Sequence, residues 1–448
     1  MKKLFGTDGV RGLANGVLTA ELALDLSVSA AHVLAQRGSF AGHRPFAVVG
    51  TDTRISGQFL SAAVVAGLAS AGVDAVLLGD LPTPAVAYLT GAMGADLGVM
   101  LSASHNAMPD NGIKFLAKGG VKLDDAIEQA IEQHMREEWQ RPLGGDVGRV
   151  RTEFSAGSQY VDHLTSTISH SLSGLKVVLD CANGAASVVG PAALRAAGAD
   201  VVAIHASPDG LNINDNCGST HLGALQAAVV AHGADVGFAL DGDADRCLAV
   251  DAAGEIVDGD QILAILALAM HEQGRLVKDT VVATVMSNLG FVQAMKAAGL
   301  GVRQTKVGDR YVLEAMKVSG YNLGGEQSGH VILSDHATTG DGVLTALHLL
   351  DRMAATGKSF AELAGVMSRL PQILVNVPNV DKSRTDDDAV LAAAVAEEEA
   401  ALNGSGRILL RPSGTEPLVR VMVEAPTQAL AHEVAHRLAA VVNAQLGL

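Results

Sequence analysis

Aromatic residues make up only 3% of this 448-residue chain, with a single tryptophan. That argues against an aromatic-cored sandwich and for α/β layers packed on Ala, Val and Gly, glycine alone numbering 50. Cysteine is equally scarce: Cys181, Cys217 and Cys247 are an odd number with no CxxC pair. They point to a reducing compartment and away from a disulfide framework or a zinc site. Positive charge is in deficit, 32 Lys and Arg against 48 Asp and Glu, a net charge of −16. A general nucleic-acid binder is thereby excluded. An anionic substrate must instead be held by local Arg and Lys and by helix N-termini. No apolar run reaches the roughly 18 residues of a spanning helix. Met1-Lys2-Lys3 resembles the start of a signal segment, but the glycine-punctuated loop Phe5-Gly6-Thr7-Asp8-Gly9-Val10-Arg11-Gly12 follows where an apolar stretch is needed. The expectation is a cytoplasmic protein with no membrane partner.

What the chain does have is one local grammar used three times. Strand Phe46 to Val49 leads through Gly50-Thr51-Asp52-Thr53-Arg54 to a helix from Gly57 to Ser70, a stop at Gly72, and a strand from Val73. Lys176 to Leu179, Asp180-Cys181-Ala182-Asn183-Gly184, Val188 to Ala197, Gly198 and Val201 repeat it. So do Val281 to Val285, Ser287-Asn288-Leu289-Gly290, Phe291 to Ala298, Gly299 and Val302. Each is a βαβ crossover, which implies parallel strands, and the wide spacing argues for similar α/β domains over a short-period solenoid. After Leu370-Pro371 the order changes to strand Ile373 to Val377, a helix near 387–402, strands Arg407 to Leu410 and Leu418 to Glu424, and a final helix with Leu430, Val434, Leu438 and Val441 at helical spacing. The reading is three similar mixed-sheet α/β domains plus a C-terminal α+β domain around a central cleft. Their boundaries are 1–150, 151–256, 257–369 and 370–448, the first falling after the linker-like Arg141-Pro142-Leu143-Gly144-Gly145-Asp146.

Four loops carry the chemistry. Ser102-Ala103-Ser104-His105-Asn106 follows the short strand Leu97 to Leu101, and Lys114 returns close behind on the strand Ile113 to Leu116. A serine at the C-terminal end of a strand sits where α/β sheets bind ligands. Asp241-Gly242-Asp243-Ala244-Asp245-Arg246 follows the apolar Val236 to Leu240. Three alternating carboxylates repel one another unless they share a hard cation. The loop is not an EF-hand, since Arg246 and Ala252 stand where Gly and Glu are needed. Mg²⁺ is the natural ion beside a phosphate. Gly324-Gly325-Glu326-Gln327-Ser328-Gly329-His330 mixes groups suited to sugar hydroxyls. Arg411-Pro412-Ser413-Gly414-Thr415-Glu416-Pro417, with Arg420 after it, suits an anion nest. Gly357-Lys358-Ser359 is no P-loop, because the glycine needed five residues earlier is Arg352. Nucleophile, metal, hydroxyl readers and phosphate grip together indicate an enzyme. A phosphatase using Asp241 as nucleophile and a non-catalytic sugar-phosphate sensor are the rival classes; Asp245, where such phosphatases have Thr or Val, speaks against the first, and intact Ser104, Lys114 and the Asp triplet against the second.

These four loops, in this order, resemble the motifs of the α-D-phosphohexomutase superfamily over essentially the whole chain. Within it, Phe5 to Gly12, Asn216-Cys217-Gly218-Ser219-Thr220-His221 and Gly325 to His330 look like the bacterial branch that acts on glucosamine phosphates, with sibling branches on mannose or glucose phosphates as the alternative. One departure is visible: Ala107 stands where the family commonly has Pro after Ser-His-Asn, and proline comes at Pro109. The resemblance implies that Ser104 must be phosphorylated for activity and that one Mg²⁺ sits on Asp241, Asp243, Asp245 and the Ser104 phosphate. Lys114 would move the proton, helped by Arg11 and His330. Arg246, Glu326 and Ser328 would hold the sugar, and Arg411, Ser413, Gly414, Thr415 and Arg420 the phosphate that is not reacting. The partner implied is a small amino-sugar phosphate, and the protein a monomer or homodimer.

Overall fold

The alternation of strand and helix read from the sequence is present in the structure, a computed structural model that describes residues 3–6, 8–40, 42–135, 137–413 and 416–448. It falls into two units. One spans Met1–Met286 and Leu300–Val366; the other spans Ser287–Gly299 and Met367–Leu448.

The first unit holds three sheets. The first contains β1 (Val10–Leu13), β2 (Phe46–Thr51), β3 (Asp74–Asp80), β4 (Leu97–Leu101), β5 (Asp110–Ala117), β6 (Val121–Lys122) and β7 (Val150–Thr152), in the order β1-β5-β4-β2-β3-β7 with β6 on β5. The second contains β8 (Lys176–Asp180), β9 (Asp200–Ile204), β10 (Val236–Leu240), β11 (Cys247–Asp251) and β12 (Ile256–Val257), ordered β12-β11-β10-β8-β9. The third is β13 (Thr280–Thr284), β14 (Gly301–Thr305), β15 (Leu323–Gly325) and β16 (Val331–Leu333), ordered β14-β13-β15-β16. One pattern underlies all three. The opening strand lies between two parallel neighbours, and the outer of these turns back into an antiparallel partner: β5-β4-β2-β3, β11-β10-β8-β9 and β16-β15-β13-β14.

That topology decides where function goes. Ser104 lies between β4 and β5, Asp241 to Asp245 between β10 and β11, and Glu326 between β15 and β16. Three of the candidate loops are thus one and the same reversal, at the C-terminal end of a central parallel strand.

Local chemistry explains the elements. The helix Gly57–Ser70 buries Leu60, Val64 and Leu68 and stops where Gly72 takes φ +85°. The helix Gly259–Glu272 starts where Asp258 and Gln261 form a capping box. The glycine-punctuated stretch at the N-terminus, read as a loop, contributes β1, paired antiparallel to β5 with Arg11 opposite Gly112. The same pairing lengthens β5 back to Asp110. Among the described residues no helix is long and apolar enough to cross a membrane.

The second unit is an antiparallel sheet of β17 (Gln372–Pro378), β18 (Arg407–Pro412) and β19 (Leu418–Glu424), ordered β17-β19-β18. Helices Ala389–Leu402 and Gln428–Leu446 pack with it. On the latter, Val434 and Leu438 are buried as expected, but Val442 and Leu446 take the next inward positions while Val441 is half-buried. The crossover helix Leu289–Ala297 also belongs to this unit. Asn288 caps it, and buried Glu424 accepts from the Leu289 amide at 2.9 Å while pairing with Arg407 at 3.1 Å.

Candidate active site

Ser104 is a buried residue with φ +52°, a left-handed conformation that non-glycine residues seldom adopt. Its surroundings hold it there. The Ser102 hydroxyl accepts from the Ser104 amide at 2.9 Å. Arg54 donates to the carbonyls of Ser104 and Asn106 at 3.2 and 2.6 Å, and the Asn214 amide donates to the same two oxygens at 2.9 and 3.0 Å. Arg54 is itself fully buried and ion-paired to buried Asp52. A Cβ on Gly242 would stand 2.7 Å from the Ser104 carbonyl oxygen and 2.8 Å from the Asn214 amide, so the aspartate loop reaches the serine loop only with glycine there.

The result is a hydroxyl that donates to Asp241 Oδ2 at 2.5 Å. His105 Nδ1 lies 3.4 Å from the Ser104 Oγ. Burial, then Arg246 and Arg11, push the imidazole down to about 4, so it is neutral near pH 7.

Asp241, Asp243 and Asp245 are all buried and bring carboxylate oxygens within 4.8 Å of one another. Burial, then Asp245 and Asp243, raise Asp241 well above the usual carboxylate range. Burial would raise Asp243 too, but the Lys114 ammonium outweighs it and brings Asp243 to about 2. One Asp243 oxygen accepts from Lys114 at 2.7 Å and from the Thr83 hydroxyl at 2.5 Å. Its other oxygen, and Asp245 Oδ1, are buried with no hydrogen-bond partner among the described residues. Orphaned carboxylate oxygens beside a carboxyl driven toward neutrality fit a hard divalent cation, whose charge would remove both costs.

Lys114 lies 2.8 Å from Asp8 and 3.9 Å from Asp245 as well. Burial alone would favour its neutral form, but the three carboxylates outweigh that and keep it an ammonium. Arg11 donates to Asp8 at 2.5 Å and to the Ala103 carbonyl at 3.4 Å. Burial would raise Asp8, yet Lys114, Lys122 and Arg11 hold it well below its usual range.

Above this layer lies a cavity of about 380 Å³ whose wall includes Arg11, Ser104, Asp245, Arg246, Glu326 and His330. Lys114, Asp241 and Asp243 are buried and do not line it. Glu326 is half-buried and accepts from the Gly308 amide at 2.9 Å. His330 is 3.9 Å from Asp245, and neither of its buried ring nitrogens has a hydrogen-bond partner among the described residues. Arg246 sends its amide to Asp241 at 3.2 Å. Ser328 is half-buried and is not part of the cavity wall.

In the second unit Arg411 stands opposite Arg420 on β18 and β19. Burial and then Arg420 lower the Arg411 pKa. Ser413 is buried and accepts from the Glu416 amide at 3.3 Å, while Lys382 donates to the Ser413 and Glu416 carbonyls at 2.5 and 3.1 Å. Two like charges set face to face suit a dianion. Gly414 and Thr415, expected in the same loop, lie outside the described residues.

Sequence reasoning missed Asp8, Asp52, Arg54, Thr83 and Asn214. The signal for two of them was available: Asp52 and Arg54 occupy the loop after β2, at the same strand ends as Ser104.

The chain matches the phosphoglucomutase/phosphomannomutase α/β/α domain models I, II and III over residues 2–141, 158–254 and 258–370, and the family's C-terminal domain model over 374–441. It is 76% identical over 448 residues to the phosphoglucosamine mutase of Nocardioides sp., covering 100% of both chains. In fold it resembles a phosphoglucomutase/phosphomannomutase family protein of Burkholderia thailandensis, with TM-score 0.82, 24% identity and coverage of 100% and 99%. It likewise resembles the Aspergillus fumigatus N-acetylphosphoglucosamine mutase solved with GlcNAc-6P and magnesium, with TM-score 0.67, 19% identity and coverage of 98% and 96%.

Proposed function

The chain belongs to the phosphoglucomutase/phosphomannomutase family and is an isomerase of the phosphohexomutase type, and on that premise we propose that it interconverts glucosamine 6-phosphate and glucosamine 1-phosphate through a phosphorylated Ser104 and a 1,6-bisphosphate. The observation that carries this is the Ser104 hydroxyl, fixed in a strained turn, bonded to Asp241 and opening on the cavity that Glu326 also lines. Full-length identity to a phosphoglucosamine mutase supports the amino sugar as substrate. The product would feed UDP-N-acetylglucosamine and cell-wall precursors, in the cytoplasm.

The residues divide the work. Asp241, Asp243 and Asp245 would hold Mg²⁺, which supplies charge neutralisation for the phosphoryl group. The Ser104 phosphoryl group passes to the sugar O1 hydroxyl; the P–O bond to serine breaks as the new one forms. The resulting bisphosphate turns over and returns its 6-phosphate to Ser104. In each transfer Lys114, an ammonium among Asp243, Asp8 and Asp245, gives a proton to the departing oxygen and takes the one released by the hydroxyl that attacks, ending the transfer as it began. Arg11 and His330 assist at the cavity wall, and Arg246, Glu326 and Ser328 hold the sugar. Arg411, Ser413, Gly414, Thr415 and Arg420 grip the phosphate at rest. The matching domain division is 1–150 for the serine loop, 151–256 for the metal, 257–369 for the sugar and 370–448 for the phosphate.

The test is kcat/KM for glucosamine, glucose and mannose 6-phosphates, with Ser104→Ala as control. The glucosamine ester should be the best substrate and the Ala variant inactive. A better rate on the mannose or glucose ester would contradict the assignment.

A further inference from the structure

A second group of ligating side chains meets at the end of the second sheet. Asp180 closes β8, His205 follows β9, and Cys217 ends the loop that leads into the turn Gly218–Thr220. A carboxylate oxygen, the imidazole Nδ1 and the thiol sulfur lie within 4.8 Å of one another. Asp180 and Cys217 are fully buried, and the His205 side chain is 32% exposed. None of the three forms part of the catalytic cavity wall.

A plain hydrogen-bonded trio does not account for the contacts. Nδ1 lies 3.0 Å from Asp180 Oδ2, yet it lacks hydrogen-bond geometry to that oxygen, and the buried nitrogen has no other partner among the described residues. The carboxylate is anchored from behind, Oδ1 accepting from the Ala182 amide at 2.9 Å and Oδ2 from the Gly218 amide at 3.0 Å. A ring nitrogen, a carboxylate and a sulfur thus converge with no donor correctly aimed between them. Thiolate, carboxylate and neutral imidazole together carry two negative charges, which one divalent ion balances. Mixed S, N and O donors favour zinc-like ions over Mg²⁺, which takes oxygen. Backbone amides behind the carboxylate are the kind of outer support that fixes a ligand's direction.

We propose that Asp180, His205 and Cys217 form a second metal site, separate from the aspartate triplet, for a borderline-soft divalent ion of the zinc class. Binding displaces the Cys217 thiol proton to solvent as the metal–sulfur bond forms, with no change of oxidation state. In its absence burial, then Asp180 and Asp215, push that thiol up to about 12 and keep it protonated. The ion braces the loops behind the active serine. Asn183 donates to the His205 carbonyl at 2.6 Å, Asn214 donates its backbone amide to Ala182 at 2.9 Å, and the Asn214 side chain holds the Ser104 carbonyl at 2.9 Å. The cysteine spacing hid this site, because its three ligands come from three separate loops.

The experiment is a Co²⁺ titration of reduced, chelator-stripped full-length protein in excess Mg²⁺, read in the near ultraviolet without substrate. Wild type should show a sulfur-to-cobalt charge-transfer band saturating at one ion per chain and abolished by Zn²⁺. Cys217→Ser should lose the band, whereas Cys181→Ser and Cys247→Ser keep it. His205→Gln, at a partly exposed position, should weaken Co²⁺ binding by about tenfold or more, and it decides the matter if the Cys217 variant does not fold. No band in wild type, a band persisting in Cys217→Ser, or unchanged affinity in His205→Gln would overturn the proposal. The readout involves no turnover, so its failure leaves the mutase assignment untouched.

Discussion

Arg54 and Ser104 are 50 residues apart, yet the buried guanidinium donates to the Ser104 carbonyl at 3.2 Å and to the Asn106 carbonyl at 2.6 Å. Its fork spans both ends of the turn that holds the serine left-handed. A lysine has one compact charge and cannot reproduce that fork. Arg54→Lys is therefore expected to lower kcat with a smaller effect on KM. Arg54→Ala leaves Asp52 buried without its cation and should lower unfolding free energy by about 3–5 kcal/mol. Denaturant melts and steady-state kinetics check both; an Ala variant as stable as the parent would contradict the clamp.

Asp243 joins the aspartate cluster to Lys114 and Thr83 through one oxygen. Asp243→Asn removes a charge from the cation site and a partner from the ammonium at once. Half-maximal activity should then need more Mg²⁺, and the maximal rate should fall as well. An unchanged Mg²⁺ titration would show that the ion sits elsewhere.

Arg411 faces Arg420 across two strands. If this pair grips the resting phosphate, it serves both orientations of the bisphosphate. Arg411→Ala removes a charge-assisted contact worth about 1.5–3 kcal/mol, or roughly ten- to a hundredfold in binding or rate. The loss should be similar from either substrate, with more free 1,6-bisphosphate released. Assays in both directions with bisphosphate quantified check it; a defect in one direction without leakage would contradict a shared grip.

Asp341 caps the helix Gly342–Thr356, accepts from the Tyr160 hydroxyl at 2.7 Å and is raised by burial to about 6. Its ordinary value is 3.8. Because the folded value is the higher one, its contribution is fully present below about pH 4 and is lost as pH rises through 6. Asp341→Asn cannot ionise and still caps. Relative to the parent it should gain stability from pH 4 to 7, by at most about 3 kcal/mol, and level off above. Unfolding midpoints across that range check the sign; a constant difference would contradict it.

The strands flanking Ser104 and Asp241 were legible because short apolar runs ended in small or charged residues, and both loops kept their expected places. Lys114 was also readable, since the return strand brings it back within a few residues. What local pattern could not give was partnership across the chain. Arg54 and Asn214 converge on one turn from 50 and 110 residues away. β1 was hidden because its glycines read as loop until β5 supplied partners. Ser328 shares a motif with Glu326 and His330 but lies off the wall that those two help form, since a loop turns its neighbours in different directions.

The central claim is that Ser104 carries the phosphoryl group. Its most direct test is intact-mass and peptide mass spectrometry of protein treated with glucosamine 1,6-bisphosphate, alongside activity of the same samples. The account predicts one phosphoryl group per chain, mapped to Ser104, with activity rising in proportion to its occupancy and neither appearing in Ser104→Ala. Full turnover from protein unmodified at Ser104, or a phosphoryl group on another residue tracking activity, would contradict it.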